Sequence, residues 1–144
     1  MKAKILELLK GMNSDSKKES SKCERELCKI LTDVCDKLNS IENAVGWIVR
    51  YYPDSIKEID IDNVYSGMTK LPEIIWCEYG SFEFETSWLD INFKEYFEEL
   101  KLKSIRSKQN TIKNVEYSLN KHKNELESLK KLTYEDLDSE RRGE

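Results

Sequence analysis

The sequence predicts an α+β fold: a small antiparallel sheet of three or four strands packed on helices, with a long C-terminal coiled-coil-like helix. Three observations predict it. Ile105, Ile112, Leu119 and Leu126 recur every seven residues, with Val115 and Leu129 at interleaved positions. That spacing lines one side of a helix, which then needs a covering surface. Leu27, Leu31, Val34, Leu38, Ile41 and Val45 form a second stripe of alternating fours and threes. Phe82, Phe84, Thr86 and Trp88 alternate with Glu83 and Glu85, the period-two mark of a strand with one covered face.

Lys2 to Lys10 reads as a short helix with Ile5, Leu6, Leu8 and Leu9 apolar, stopped at Gly11. Residues 12–20 read as a flexible polar linker. A helix is expected from Ser21 to Asn43, because Ser21 and Glu24 have capping-box spacing. Its stripe and that of the C-terminal helix are natural mates within the chain. Trp47 to Tyr52 is β-branched and aromatic and reads as a strand, ended by Pro53. Residues 56–66 alternate imperfectly through Ile56, Ile59, Ile61 and Val64, giving a strand or irregular edge, and Ser66-Gly67 is a turn. Strands over Ile74–Tyr79 and Phe82–Trp88 meet at Gly80-Ser81, a favoured hairpin pair. Trp47, Trp76 and Trp88 are expected as core anchors.

Asn92 with Glu95 caps the long helix, whose Phe93, Tyr96, Phe97 and Leu100 should pack on the sheet. It continues to about Leu132. Thr133 with Asp136 has the spacing to cap a short last helix. The domain division that follows is 1–20 for the short helix and linker, 21–132 for one α+β domain including the long helix 93–132, and 133–144 for an acidic tail. No apolar run approaches the ~20 residues of a membrane span. The start has no secretory pattern, and a cytoplasmic location is expected.

Charge is segregated. Residues 54–99 hold 3 Lys/Arg and 12 Asp/Glu, whereas residues 100–131 hold 9 and 3. Such separation concerns association and steering rather than fold. The helix basicity invites a nucleic-acid reading, but the aromatic residues lie in the acidic part and do not interleave with it. Direct nucleic-acid binding is therefore disfavoured.

Catalytic chemistry has little support. His122, the only histidine, occupies the inner seam position between Leu119 and Leu126 and reads as a satisfied or partly exposed seam histidine, with the setting of register or partner number as the alternative role of a polar seam residue. Lys108 occupies an equivalent slot. Cys28 and Cys35 stand about 10 Å of helical rise apart, too far for a disulfide. With Cys23 and Cys77 they read as reduced, mostly buried thiols. Asp60 and Asp62 lack the glycine and distal glutamate of a calcium loop. Glu83 and Glu85 share an open face, without the unequal environments that acid–base pairs need. No cofactor or metal is expected, and the chain reads as no enzyme.

The acidic middle points to protein binding. Asp60, Asp62, Glu73, Glu78, Glu83, Glu85 and Asp90 are the candidate partner-binding residues, and the expected partner is a protein with a basic nucleic-acid-binding groove. A simply solvated acidic face is the competing reading. In broad style (small, acidic, rich in lysine and asparagine) the chain resembles phage or mobile-element inhibitors that disarm host nucleases, anti-CRISPR proteins among them, though no motif carries this. The alternative is a homodimeric structural or adaptor protein whose helix interface is Ile105, Ile112, Val115, Leu119, His122, Leu126 and Leu129. A nucleic-acid-binding protein using the basic helix comes third.

Overall fold

The computed structural model describes residues 1–61, 65 and 67–141, with side chains through Leu137. The chain divides into two compact units, Met1–Lys101 and Leu102–Glu144. Among the described residues no helix is long and apolar enough to cross a membrane.

In the first unit, α1 (Lys2–Gly11) buries Ile5, Leu8 and Leu9, one side of a single turn. α2 (Lys17–Ala44) starts five residues earlier than the capping-box spacing suggests. Ser16, not Ser21, is its N-cap, accepting from the Glu19 N–H at 3.4 Å. The segment before it is also anchored, since the Ser20 hydroxyl donates to the Met12 carbonyl at 2.7 Å. α2 is closed past its Val45 cap by Gly46, where φ is +68°. The Trp47 N–H reaches back to the Glu42 carbonyl at 2.9 Å and the Gly46 N–H to Asn43 at 3.2 Å. This paired closure satisfies two of the last carbonyls and requires a left-handed residue, which glycine adopts without strain.

Gly11 is needed for space. A Cβ there would lie 2.5 Å from the Cys23 Sγ, so α1 approaches α2 more closely than any larger residue permits.

The sheet has two strands. β1 (Ile74–Cys77) pairs antiparallel with β2 (Phe82–Glu85), with Ile75 opposite Phe84 and Trp76 opposite Glu83. The expected three- or four-stranded sheet is thus overturned. Residues 56–61 contribute one bridge, Ile59 to Cys77, held by Asp60 N–H to Trp76 O at 2.8 Å and Glu78 N–H to Glu58 O at 3.1 Å. Val64 and Asp62 lie outside the described residues. Trp47–Tyr52 forms no strand. Its Tyr52 side chain is buried against Trp88 while Ile48, Val49 and Tyr51 are exposed, and no described strand lies alongside to pair with it. β-propensity without a partner edge does not make a strand. β2 also stops short of Trp88. Thr86–Asp90 turns into a 3-10 helix, in which the Thr86 hydroxyl lies 2.9 and 3.0 Å from the Pro72 and Glu73 carbonyls.

The core joins α1, α2, the hairpin and Trp88. Leu27, Leu31, Val34 and Leu38 of α2 share it with Ile5, Leu9, Ile75 and Phe84. The α2 stripe is therefore filled from within Met1–Lys101. Of the three tryptophans only Trp88 is buried, at 6% exposure; Trp47 and Trp76 are half-buried.

α3 (Phe93–Lys131) begins with Asn92 Oδ1 accepting the Glu95 N–H at 3.2 Å. In the second unit its continuation precedes α4 (Tyr134–Arg141), which opens with Asp136 Oδ2 accepting the Thr133 N–H at 2.9 Å. Ile105, Ile112, Leu119 and Leu126 are all exposed along α3. A coiled coil needs a second helix on this stripe, and with these positions open the chain alone does not build the expected one.

Candidate functional site

The sheet's two faces differ sharply. Ile75, Cys77 and Phe84 are buried on the inner face. Alternation then places Ile74, Trp76, Glu83 and Glu85 on the outer face. Trp76 stands between two carboxylate residues: Asp60 beside it across the single bridge and Glu83 beside it across the hairpin. A half-buried indole flanked by carboxylates combines apolar area with negative rim charge.

The seven acidic residues picked from the sequence are placed unequally. Asp60, Glu83 and Glu85 lie in the lanes around Trp76. Glu83 and Glu73 are exposed. Glu85 pairs with Arg50 at 2.7 Å, and Arg50 also stands 5.7 Å from the Trp88 ring centre. The Glu85 hydrogen bond holds the Arg50 guanidinium above its ordinary value. Glu78 is turned to the backbone, accepting the Lys57 N–H. Asp90 pairs with Lys2 at 2.7 Å. Asp62 lies outside the described residues. The outer face is thus acidic around Trp76 and partly neutralised at its Glu85 corner.

The hairpin end is strained on purpose of the turn: Glu78 and Tyr79 have φ of +53° and +55° before Gly80 at +82°. Tyr79 is exposed, and the nearby Glu58 carboxylate raises its phenol above the ordinary value.

A second polar feature was hidden in the α2 stripe. Glu42, 1% exposed, accepts hydroxyls from Tyr52 at 3.0 Å and Tyr96 at 2.7 Å, both on Oε1. Burial first, and the Glu42 carboxylate with it, pushes both phenols up. Sequence reading passed over Glu42 and Arg50. Glu42 sits four residues after Leu38 on the apolar side, and that polar interruption was the available signal. Trp76 was expected in the core because tryptophan size alone does not tell inner from outer face.

The helix positions Ile105, Ile112, Val115, Leu119, His122, Leu126 and Leu129 are exposed throughout. His122 Nδ1 is 3.6 Å from Glu125 one turn on. The four cysteines are free thiols; Cys28, Cys35 and Cys77 are buried, and burial pushes each up to about 12. Such thiols are poor nucleophiles at neutral pH. Among the described residues no group of three or more His, Cys, Asp or Glu side chains could hold a metal ion.

No family model, no curated protein and no solved structure matches this chain.

Proposed function

We propose that this chain is a non-enzymatic inhibitor that binds a host nucleic-acid-handling protein through its acidic sheet face. The observation that supports it is the row Asp60–Trp76–Glu83 across the outer face. An accessible indole supplies the desolvated centre that protein contacts favour, and the surrounding carboxylates match a groove built for phosphates. The residues that carry binding in this reading are Trp76, Glu83 and Asp60, with Glu73 at the margin. The free thiols fit action in a reducing compartment, the cytoplasm.

The test is capture from host extract by the intact chain, compared with Glu83→Lys and Trp76→Ala. A nucleic-acid-handling protein should be retained by the native chain, lost with either variant and displaced by added duplex DNA. Retention that both variants preserve, or that duplex DNA leaves intact, defeats the reading.

A second reading has its own support. The exposed α3 stripe suits a homodimeric adaptor that pairs through its helices.

A further inference from the structure

We propose that a pocket between α2 and the segment 55–57 binds a small organic phosphate monoester of the sugar-phosphate kind. The pocket belongs to Met1–Lys101 and shares no residue with the Asp60–Trp76–Glu83 row or the α3 stripe.

Its volume is about 380 Å³, at the small end of the ~300–1,000 Å³ of ligand sites. Arg25 and Lys29 line it from α2, four residues apart and so on one helix face. Lys57 lines it from the facing segment and is one of three cations in residues 54–99. The backbone around Lys57 is fixed. The Ile56 N–H donates to the Thr32 hydroxyl at 3.0 Å, the Lys57 N–H to the Glu78 carboxylate, and the Ile59 N–H to the Glu24 carboxylate at 3.4 Å. Three like charges are thereby held around one space. Their mutual repulsion is relieved when an anion enters it, and fixing the backbone beforehand lowers the cost of binding.

Neighbouring carboxylates do not pair with these cations. Glu24 and Glu78 are engaged by backbone N–H groups, and Glu26 by Lys4 at 2.9 Å. Among the described residues Arg25, Lys29 and Lys57 form no ion pair. Asp33 is the carboxylate in the lining. Three cations against one carboxylate leave the lining at about +2, the counterpart of the roughly −1.5 to −2 that a phosphate monoester carries at neutral pH.

The uncharged groups complete the fit. The Thr32 hydroxyl accepts from Ile56 and keeps its own proton to donate, and the Ser55 hydroxyl adds a second donor. Charged and hydroxyl donors together suit phosphate oxygens. Asp33 accepts only, so it repels phosphate and instead suits a hydroxyl of the organic part. Buried Cys28 and Ile56 give that part an apolar wall. A phosphate joined to a hydroxyl-bearing carbon skeleton meets all of these groups at once.

The experiment is calorimetric titration of the full chain at ~0.05 M NaCl with ribose 5-phosphate, ribose and inorganic phosphate. Ribose 5-phosphate should bind with a dissociation constant below about 1 mM, inorganic phosphate about 5-fold or more weaker, and ribose not at all. Lys29→Gln and Lys57→Gln, both at exposed positions, should each weaken ribose 5-phosphate about 10-fold. Their thermal melts should match the native chain, since neither side chain has a partner to lose. Lys94→Gln, an exposed cation outside the lining, should change affinity less than about 2-fold at this salt. Asp33→Asn should tighten inorganic phosphate about 2-fold or more by removing a repulsion, and shrink the preference for the sugar phosphate. No binding of ribose 5-phosphate at ~10 mM overturns the proposal. So does affinity unchanged in Lys29→Gln and Lys57→Gln, or weakened as much in Lys94→Gln. Inorganic phosphate binding as tightly as ribose 5-phosphate overturns the sugar assignment. A short DNA duplex that binds more tightly, and that the same two variants weaken, assigns the pocket to a nucleic-acid backbone instead.

Discussion

The Tyr96 hydroxyl donates to Glu42 Oε1 at 2.7 Å, tying the first turn of α3 to the last turns of α2. Tyr52 donates to the same oxygen at 3.0 Å from the connecting segment. One buried carboxylate thereby gathers three stretches of chain. The other oxygen, Oε2, has no hydrogen-bond partner among the described residues, so the two phenols carry the hydrogen bonding of this buried group, with the Arg50 charge attracting it from farther off.

Removing either phenol should be felt. Tyr96→Phe and Tyr52→Phe are each expected to cost about 1–3 kcal/mol. The double variant should cost more than the two added together, because the second loss strips the carboxylate of its last donor. Urea denaturation of the four proteins checks this. Strict additivity would mean that water replaces the phenols at Glu42.

Stability should fall in alkali. Cys28, Cys35 and Cys77 ionise near 9.0 when unfolded and are held up to about 12 when folded. Their raised values favour the protonated, folded form, so this contribution is complete below pH 9 and is lost as pH rises toward 12. Tyr52 and Tyr96 act in the same direction above pH 10.0. The slope per thiol is at most about 1.4 kcal/mol per pH unit. Cys35→Ala should flatten the decline between pH 9 and 11 measured by denaturant titration. An unchanged slope would place that thiol in contact with water.

The α1–α2 approach makes a prediction whose sign reverses. Alanine is intrinsically better than glycine in a helix by about 1 kcal/mol. Gly11→Ala should nonetheless destabilise, by about 1–3 kcal/mol, because its Cβ meets the Cys23 Sγ at 2.5 Å. In a Cys23→Ala background the sulfur is gone and the remaining Cβ contact is 3.5 Å. There Gly11→Ala should stabilise. Thermal melts of the four variants decide it, and destabilisation in both backgrounds would contradict the packing.

The two sheet-region tryptophans should respond differently. Trp88 is buried against Tyr52 and Phe84, with ring centres 5.4 and 4.9 Å away. Trp88→Ala should cost about 3–5 kcal/mol. Trp76→Ala should cost about 1 kcal/mol, as expected where a side chain is only partly removed from water. Comparable losses at the two sites in chemical denaturation would show that Trp76 is a core residue after all.

Local chemistry was readable wherever neighbours along the chain do the work. Asn92 with Glu95 and Thr133 with Asp136 concern groups within one turn of each other, and α1 ends at the expected Gly11, though what requires glycine there is the approach of Cys23. That these two segments, Ile74–Tyr79 and Phe82–Trp88, pair antiparallel and that Phe84 faces inward also followed from spacing, but the register did not: Cys77, not Tyr79, stands opposite Phe82, and the connection runs from Glu78 to Ser81 instead of through the two-residue Gly80-Ser81 turn. One cap was misplaced. The spacing of Ser21 and Glu24 fits a cap, yet α2 begins at Ser16, inside the stretch expected as a linker.

The amino-acid order by itself determined helix periodicity, the caps of Asn92 with Glu95 and Thr133 with Asp136, the existence of the hairpin and the segregation of charge, because each is set by residues close along the chain. Tertiary structure alone decided the number of strands, since Trp47–Tyr52 could pair only if an edge came to it. It alone decided which tryptophan was buried and which stood among carboxylates. It also decided that the α2 stripe would be filled by α1 and the hairpin. Those outcomes turn on which surfaces meet across long separations, and periodicity marks a face as apolar without saying what will cover it.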